Sequence, residues 1–258
     1  DLIKVVYPFL RNYKIEIDGE ENIPKDSNVI FVVNHSNSHD IFTSYEFLSL
    51  LGRKGSVMVA TDCLDRITTG IFNISNATLL DRNNKEERRN SVLELSKKII
   101  DGNDGVIFGE GTWNLHPTLP MHVIQNGALK ISLVTQVPII PTVVEYIEVD
   151  NPVKTDAELF KKCVIRFGKP ILSRYDTSLI EQSDNIREEM SIIRKQIWSD
   201  FNIERSSISK IDPQLYVNHT YAKKFKALGF TYDSSYEQQF LLFEPGFEEN
   251  EYTITADG

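Results

Sequence analysis

Short apolar runs rich in β-branched residues, each followed by a stretch with helical spacing, recur along most of this chain, and this alternation constrains the fold most. Residues 28–33 (NVIFVV) are almost wholly apolar, the pattern of a central strand covered on both faces. In 40–52 (DIFTSYEFLSLLG), Phe42, Tyr45, Leu48 and Leu51 share a helical face; Asp40 is placed to cap the first turn and Gly52 to end the helix. The same alternation continues with strands at 55–61, 105–111, 137–149 and 163–171, and helices at 84–100, 121–136 and 183–201. A further strand is read at 13–18, turning at Asp18-Gly19. Strands separated by helices of ~10–15 residues predict an α/β fold, with a central, mostly parallel sheet flanked by helices. Residues 1–203 read as one domain, and 204–258 as a C-terminal extension of unknown role, acidic and aromatic towards its end, packed on that domain.

Composition excludes several classes. Across 258 residues, 41% are hydrophobic and 25% charged, ordinary for a globular chain able to bury a sizeable core. A net charge of −9 disfavours a general nucleic-acid binder, which needs a basic surface. Cys63 and Cys163 lie far apart, with no zinc or disulfide pattern, which points to a reducing compartment. There is neither a signal peptide nor an apolar run of the ~18 residues a spanning helix needs. The chain begins at Asp1, so an upstream anchor could have been removed.

Where the strand at 28–33 ends, the sequence reads VVNHSNSHD, from Val32 to Asp40. His35 and Asp40 would lie on different faces of one helix. If His35 sits in the strand-exit loop and Asp40 opens the next helix, the carboxylate can reach one ring nitrogen. The other nitrogen can then take a proton from a hydroxyl. The competing reading is a loop histidine beside an aspartate that merely caps a helix. His39 is read as a bystander, and His35, His39 and Asp40 match no zinc spacing. No GxSxG elbow supplies a serine nucleophile, so the proton would come from a bound acceptor. A second stretch, VIFGEGTWN (106–114), ends a buried strand with glycines on either side of Glu110. A third, 124–142, leads from Gly127-Ala128 into a proline-bounded apolar run, Val137 to Pro141.

In this order and spacing, over roughly residues 15–170, the chain resembles the glycerolipid acyltransferases, which act on glycerol-3-phosphate and 1-acylglycerol-3-phosphate. Asn34, His35 and Asp40 meet the first motif, Asn-His, four residues, then Asp. Arg82 supplies the arginine of the second motif, with Asn76 and Leu79 in place of its glycine and phenylalanine. Glu110, Gly111 and Thr112 meet the third motif, Glu-Gly-Thr-Arg. There Trp113 replaces the arginine, and Gly109 the usual preceding proline. Val137 to Pro141 meet the fourth.

The resemblance implies an acyltransferase domain over 1–203. His35 is the expected general base and Asp40 its orienter. Asn34, Arg82, Glu110, Gly111, Thr112 and Trp113 are the expected acceptor-binding residues, and main chain near Ile140 and Pro141 the expected oxyanion support. The acyl donor is acyl carrier protein or a coenzyme A thioester and the acceptor a lysolipid, with neither cofactor nor metal. An indole cannot make arginine's bidentate contact to phosphate, but it can stack on a sugar. Trp113 therefore keeps a glycolipid, sugar or amine acceptor open, and water as acceptor would make a thioesterase. Peripheral contact with the inner, cytoplasmic membrane face is expected, through residues 2–10 or Phe240–Phe243, or a basic face at 85–98.

Overall fold

The computed structural model describes residues 13–36, 39–61, 70, 72, 75–112, 114, 119–148 and 160–203. The extension 204–258, residues 2–10 and Trp113 lie outside them. Among the described residues, β1 (Lys14–Asp18) leads through a 3₁₀ turn (Glu20–Asn22) to β2 (Ile30–Val33), then α1 (Asp40–Leu50), β3 (Gly55–Ala60) and β4 (Thr78–Leu80). Next come α2 (Lys85–Ile100), β5 (Asp104–Phe108), α3 (Gly127–Thr135), β6 (Ile139–Glu148), β7 (Phe160–Phe167) and α4 (Leu179–Asp200).

The strands form one seven-stranded sheet among the described residues, in the order β1-β7-β6-β2-β5-β3-β4. All neighbouring pairs are parallel except β6 with β7. β2 lies between β5 and β6, and all four of its residues are buried. That is why its sequence is uniformly apolar. Residues of alternate parity feed two cores. Phe31, Val33 and Val106 join Tyr45, Phe47 and Leu48 of α1 on one face. Ile30, Val32 and Ile139 join Leu95 of α2, Leu129 of α3 and Ile186, Met190 and Ile197 of α4 on the other. Full burial of each such side chain contributes about 1.5–3 kcal/mol before chain entropy is charged against it.

Local signals set the helix ends. Asn84 caps α2, its side chain accepting from the N–H groups of Glu86 and Glu87 at 3.0 and 3.3 Å. Ser178 caps α4 by accepting from Glu181 N–H at 3.1 Å. Gly52 and Gly102 follow α1 and α2 in the left-handed region, at φ +66° and +97°.

Several features differ from the sequence reading. The helix expected at 121–136 shrinks to Gly127–Thr135, because 121–125 is drawn as loop onto the exit of β5: Gln125 N–H donates to the Gly109 carbonyl at 2.8 Å. Met121 and Ile124 are buried there as core residues, so their apolar spacing reports packing rather than helix. β4, a three-residue edge strand inside NATLLDR, has too short a run to show periodicity. α1 begins at Asp40 as expected, but its N-cap position is His39 and makes no side-chain cap. Among the described residues, no helix is long and apolar enough to cross a membrane.

Candidate active site

β2, β4 and β5 end on the same edge of the sheet, and their exits carry His35, Arg82 and Gly109–Gly111. Ligands of open α/β sheets gather at this carboxyl edge. His35 leaves β2 two residues after Val33, and Asp40 opens α1. His35 Nδ1 lies 2.8 Å from Asp40 Oδ2. The same oxygen accepts the Ser36 N–H at 2.8 Å, so the loop folds back on the carboxylate. His35 is 8% exposed and Asp40 fully buried. The imidazole stacks on Phe108 at the end of β5, with ring centroids 4.3 Å apart and planes at 23°. With Nδ1 turned to the carboxylate, Nε2 is the ring nitrogen that could exchange a proton with a ligand.

The flanking residues position this pair through main chain. Asn34 continues the ladder from β2 to β6 with its side chain. Its Nδ2 donates to the Val144 carbonyl at 3.0 Å, and its Oδ1 accepts the Val144 N–H at 2.7 Å. Its amide is thus engaged by the sheet. Glu110, 2% exposed, accepts the His35 N–H on Oε1 at 3.1 Å and the His122 N–H on Oε2 at 2.8 Å. Burial pushes its carboxyl above the ordinary range, while the two N–H groups and the charges of Arg194 and His35 pull it back. The His35 carbonyl accepts the Asn114 N–H at 2.6 Å.

The third-motif segment turns tightly. A Cβ on Gly109 would lie 2.6 Å from Val32 Cγ1, and Gly109 N–H donates to the Val33 carbonyl at 2.9 Å. Proline here would lose that bond. Gly111 turns at φ +65°, and half-buried Thr112 follows. Arg82, beyond β4, donates from Nη1 to the Gly111 carbonyl at 2.6 Å, which joins the second motif to the third. Arg88 reaches the Arg82 carbonyl at 2.6 Å.

Ile140 and Pro141 do not meet His35. They lie inside β6, opposite Phe31 and Val32, and His35 is three residues beyond Val32, about 10 Å along the strand direction. The Pro141 carbonyl accepts from Gly168 at 2.7 Å. Their main chain takes part in the β6 ladder, back from the edge that carries His35. His39 packs edge-on against Tyr13 and near Tyr146, at centroid distances of 6.1 and 6.3 Å. Burial lowers its pKa against the opposing charge of Asp40. Among the described residues, no group of three or more His, Cys, Asp or Glu could hold a metal. The sequence reading missed Phe108, Asn114 and His122. Phe108 reads simply as an apolar strand residue, and the other two contribute main-chain groups, which leave no residue-type signal.

The fold is similar to that of the 1-acyl-sn-glycerophosphate (LPA) acyltransferase PlsC from Thermotoga maritima. The TM-score is 0.52 at 21% identity, over 74% of this chain and 73% of that one. Among curated proteins, none matches. The acyltransferase family model matches residues 14–145, just over half of the sequence, and spans the His35–Asp40 pair, Arg82 and the 109–112 turn. With these residues on one edge of the expected sheet, the chain belongs to the acyltransferase family.

Proposed function

We propose that the protein moves a fatty acyl group from an acyl carrier protein or coenzyme A thioester to a hydroxyl of a lysoglycerolipid such as lysophosphatidic acid. The observation that carries this reading is the buried contact of His35 Nδ1 with Asp40 at 2.8 Å, in a chain of the acyltransferase family. Asp40 holds the Nδ1–H tautomer, and His35 Nε2 takes the acceptor's hydroxyl proton. The acceptor oxygen bonds to the thioester carbonyl carbon. The tetrahedral adduct collapses, the C–S bond breaks, and the imidazolium returns the proton to the departing thiolate. Arg82, together with Gly111, Thr112 and Trp113, meets the acceptor's head group. Glu110 and Asn34 serve by holding the main chain around His35. The acceptor and the acyl chain are met at the cytoplasmic membrane face through peripheral contact, and the chemistry calls for no cofactor or metal.

A second reading, acylation of a glycolipid, sugar or amine, is favoured by Trp113 in place of the third-motif arginine. Thiol release from palmitoyl-coenzyme A and palmitoyl-acyl carrier protein, with and without lysophosphatidic acid, separates the readings when run on the protein and on His35→Ala. The expected result is release that requires lysophosphatidic acid and falls roughly 10²- to 10⁴-fold in the variant. Release without acceptor that still needs His35 would mark a thioesterase. Reaction with a glycolipid or sugar instead of lysophosphatidic acid would establish the second reading.

A further inference from the structure

Beyond the segment matched by the family model, α4 sends one buried charged side chain to β6 and to the loop that precedes His122. Arg194 and its partner Glu145 on β6 are each 5% exposed. Arg194 Nε donates to Glu145 Oε2 at 2.7 Å, and Nη1 donates to the Pro120 carbonyl at 2.8 Å. The guanidinium carbon sits 5.3 Å from the centroid of the Trp198 ring, one turn on. An arginine stays charged even here, and its planar fork can hold two acceptors in fixed directions. Pro120 lies two residues before His122, whose N–H is bound by Glu110, and the other Glu110 oxygen binds the N–H of His35. The positive charge of Arg194 also opposes the effect of burial on Glu110.

A helix merely glued to a sheet would not need an ion pair. Burying one costs several kcal/mol per ion, and well-packed apolar side chains often serve as well. Here the pair also grips the segment that seats Glu110. We propose that Arg194 is a positioning residue for the His35–Asp40 pair, acting through Pro120, His122 and Glu110 on the main chain of His35. The inference rests on His35 being the base of the proposed transfer. Among the described residues, His35, His122 and Arg194 act on Glu110, with Asp40 paired to His35 and Glu145 to Arg194. Without Arg194, Glu110 gains a proton at higher pH. A neutral carboxyl is a poorer acceptor for the two N–H groups, so the hold on His35 loosens as pH falls.

The test is the double variant Arg194→Met/Glu145→Met, which removes both charges together so that neither is stranded, beside Arg194→Lys. Three quantities are measured: palmitoyl-coenzyme A thiol release with lysophosphatidic acid as a function of pH, thermal unfolding, and the NMR titration of the His35 ring in ¹³C-histidine-labelled protein. In the double variant, kcat is expected to fall roughly tenfold with KM within about twofold. The acid limb of the profile should move up, because the loosened segment no longer holds both N–H groups on Glu110. Arg194→Lys should keep the acid limb in place but lose several-fold in kcat, because one ammonium cannot hold Glu145 and Pro120 in the geometry of the fork. A double variant with unchanged kcat, limb and His35 titration, altered in Tm alone, would show Arg194 to be helix glue and overturn the proposal. If that variant does not fold, wild-type kcat in Arg194→Lys overturns it. If the wild-type protein releases no thiol, the transfer reading fails, yet the His35 titration still decides whether Arg194 positions the ring.

Discussion

Two buried acidic residues stand at opposite ends of the same sheet, each gripping a basic partner, and only one of the pairs can do proton chemistry. At the amino edge, Asp104 opens β5. Its Oδ2 takes Arg53 Nε at 2.5 Å and its Oδ1 takes Arg53 Nη2 at 2.8 Å and the Val29 N–H at 2.9 Å. Arg53 also donates to the carbonyls of Pro24 and Ser27, at 3.0 and 2.8 Å. This is a clamp: its cation never releases a proton, and it closes the connections into β2 and β3. At the carboxyl edge, Asp40 holds an imidazole, a side chain able to take up and release a proton. The carboxylates make similar contacts, including a main-chain N–H each. What separates them is the partner's chemistry and the edge of the sheet where the pair sits.

The largest effect should come from making the carboxyl-edge pair resemble the inert one. Asp40→Asn keeps an oxygen for the Ser36 N–H but removes the negative charge that stabilises an imidazolium at His35. Acyl transfer should fall roughly 10²- to 10⁴-fold, with little change in unfolding midpoint, as read by thiol release and thermal unfolding on the same preparation. Retained activity would place the base elsewhere. Next in size, Arg53→Met should leave turnover per folded molecule unchanged and cost about 3 kcal/mol in urea unfolding, because it strands the Asp104 carboxylate. A loss of kcat without a loss of stability would break the contrast between the two edges.

The smallest effect is expected at His39, which neighbours the site without joining the pair. Its folded-state pKa lies below the ordinary value of 6.5, so the folded protein binds fewer protons than the unfolded chain below that pH. His39 therefore costs stability as pH falls through 6.5 towards its folded value. His39→Phe should flatten that part of the urea-midpoint profile while leaving thiol release nearly unaltered. A steeper acid slope in the variant would reverse the sign argued here.

Much of the fold was legible because its signals are local. A run such as IFVV, buried on both faces, has no reason to alternate, and glycines at 52 and 102 fall where helices must stop. The His35–Asp40 pairing was legible too, because five residues suffice for a loop to close on itself. The extent of α3 was less so, since Met121 and Ile124 bury their side chains from an extended loop. The antiparallel β7 carried no mark of direction, because a short apolar run reads alike either way.

The sequence by itself determined the alternation of strands and helices, the buried β2 and the loop that brings Asp40 to His35. Each follows from side-chain type and spacing within a dozen residues. Tertiary structure alone decided what Asn34, Glu110 and Arg194 do. Their partners are main-chain or charged groups far away in sequence: Asn34 meets Val144 across 110 residues, Glu110 meets His35 across 75, and Arg194 meets Pro120 across 74. A main-chain N–H or carbonyl is common to nearly every residue. No residue type marks the one that will be bound, and only the register of the strands and the lie of α4 choose it.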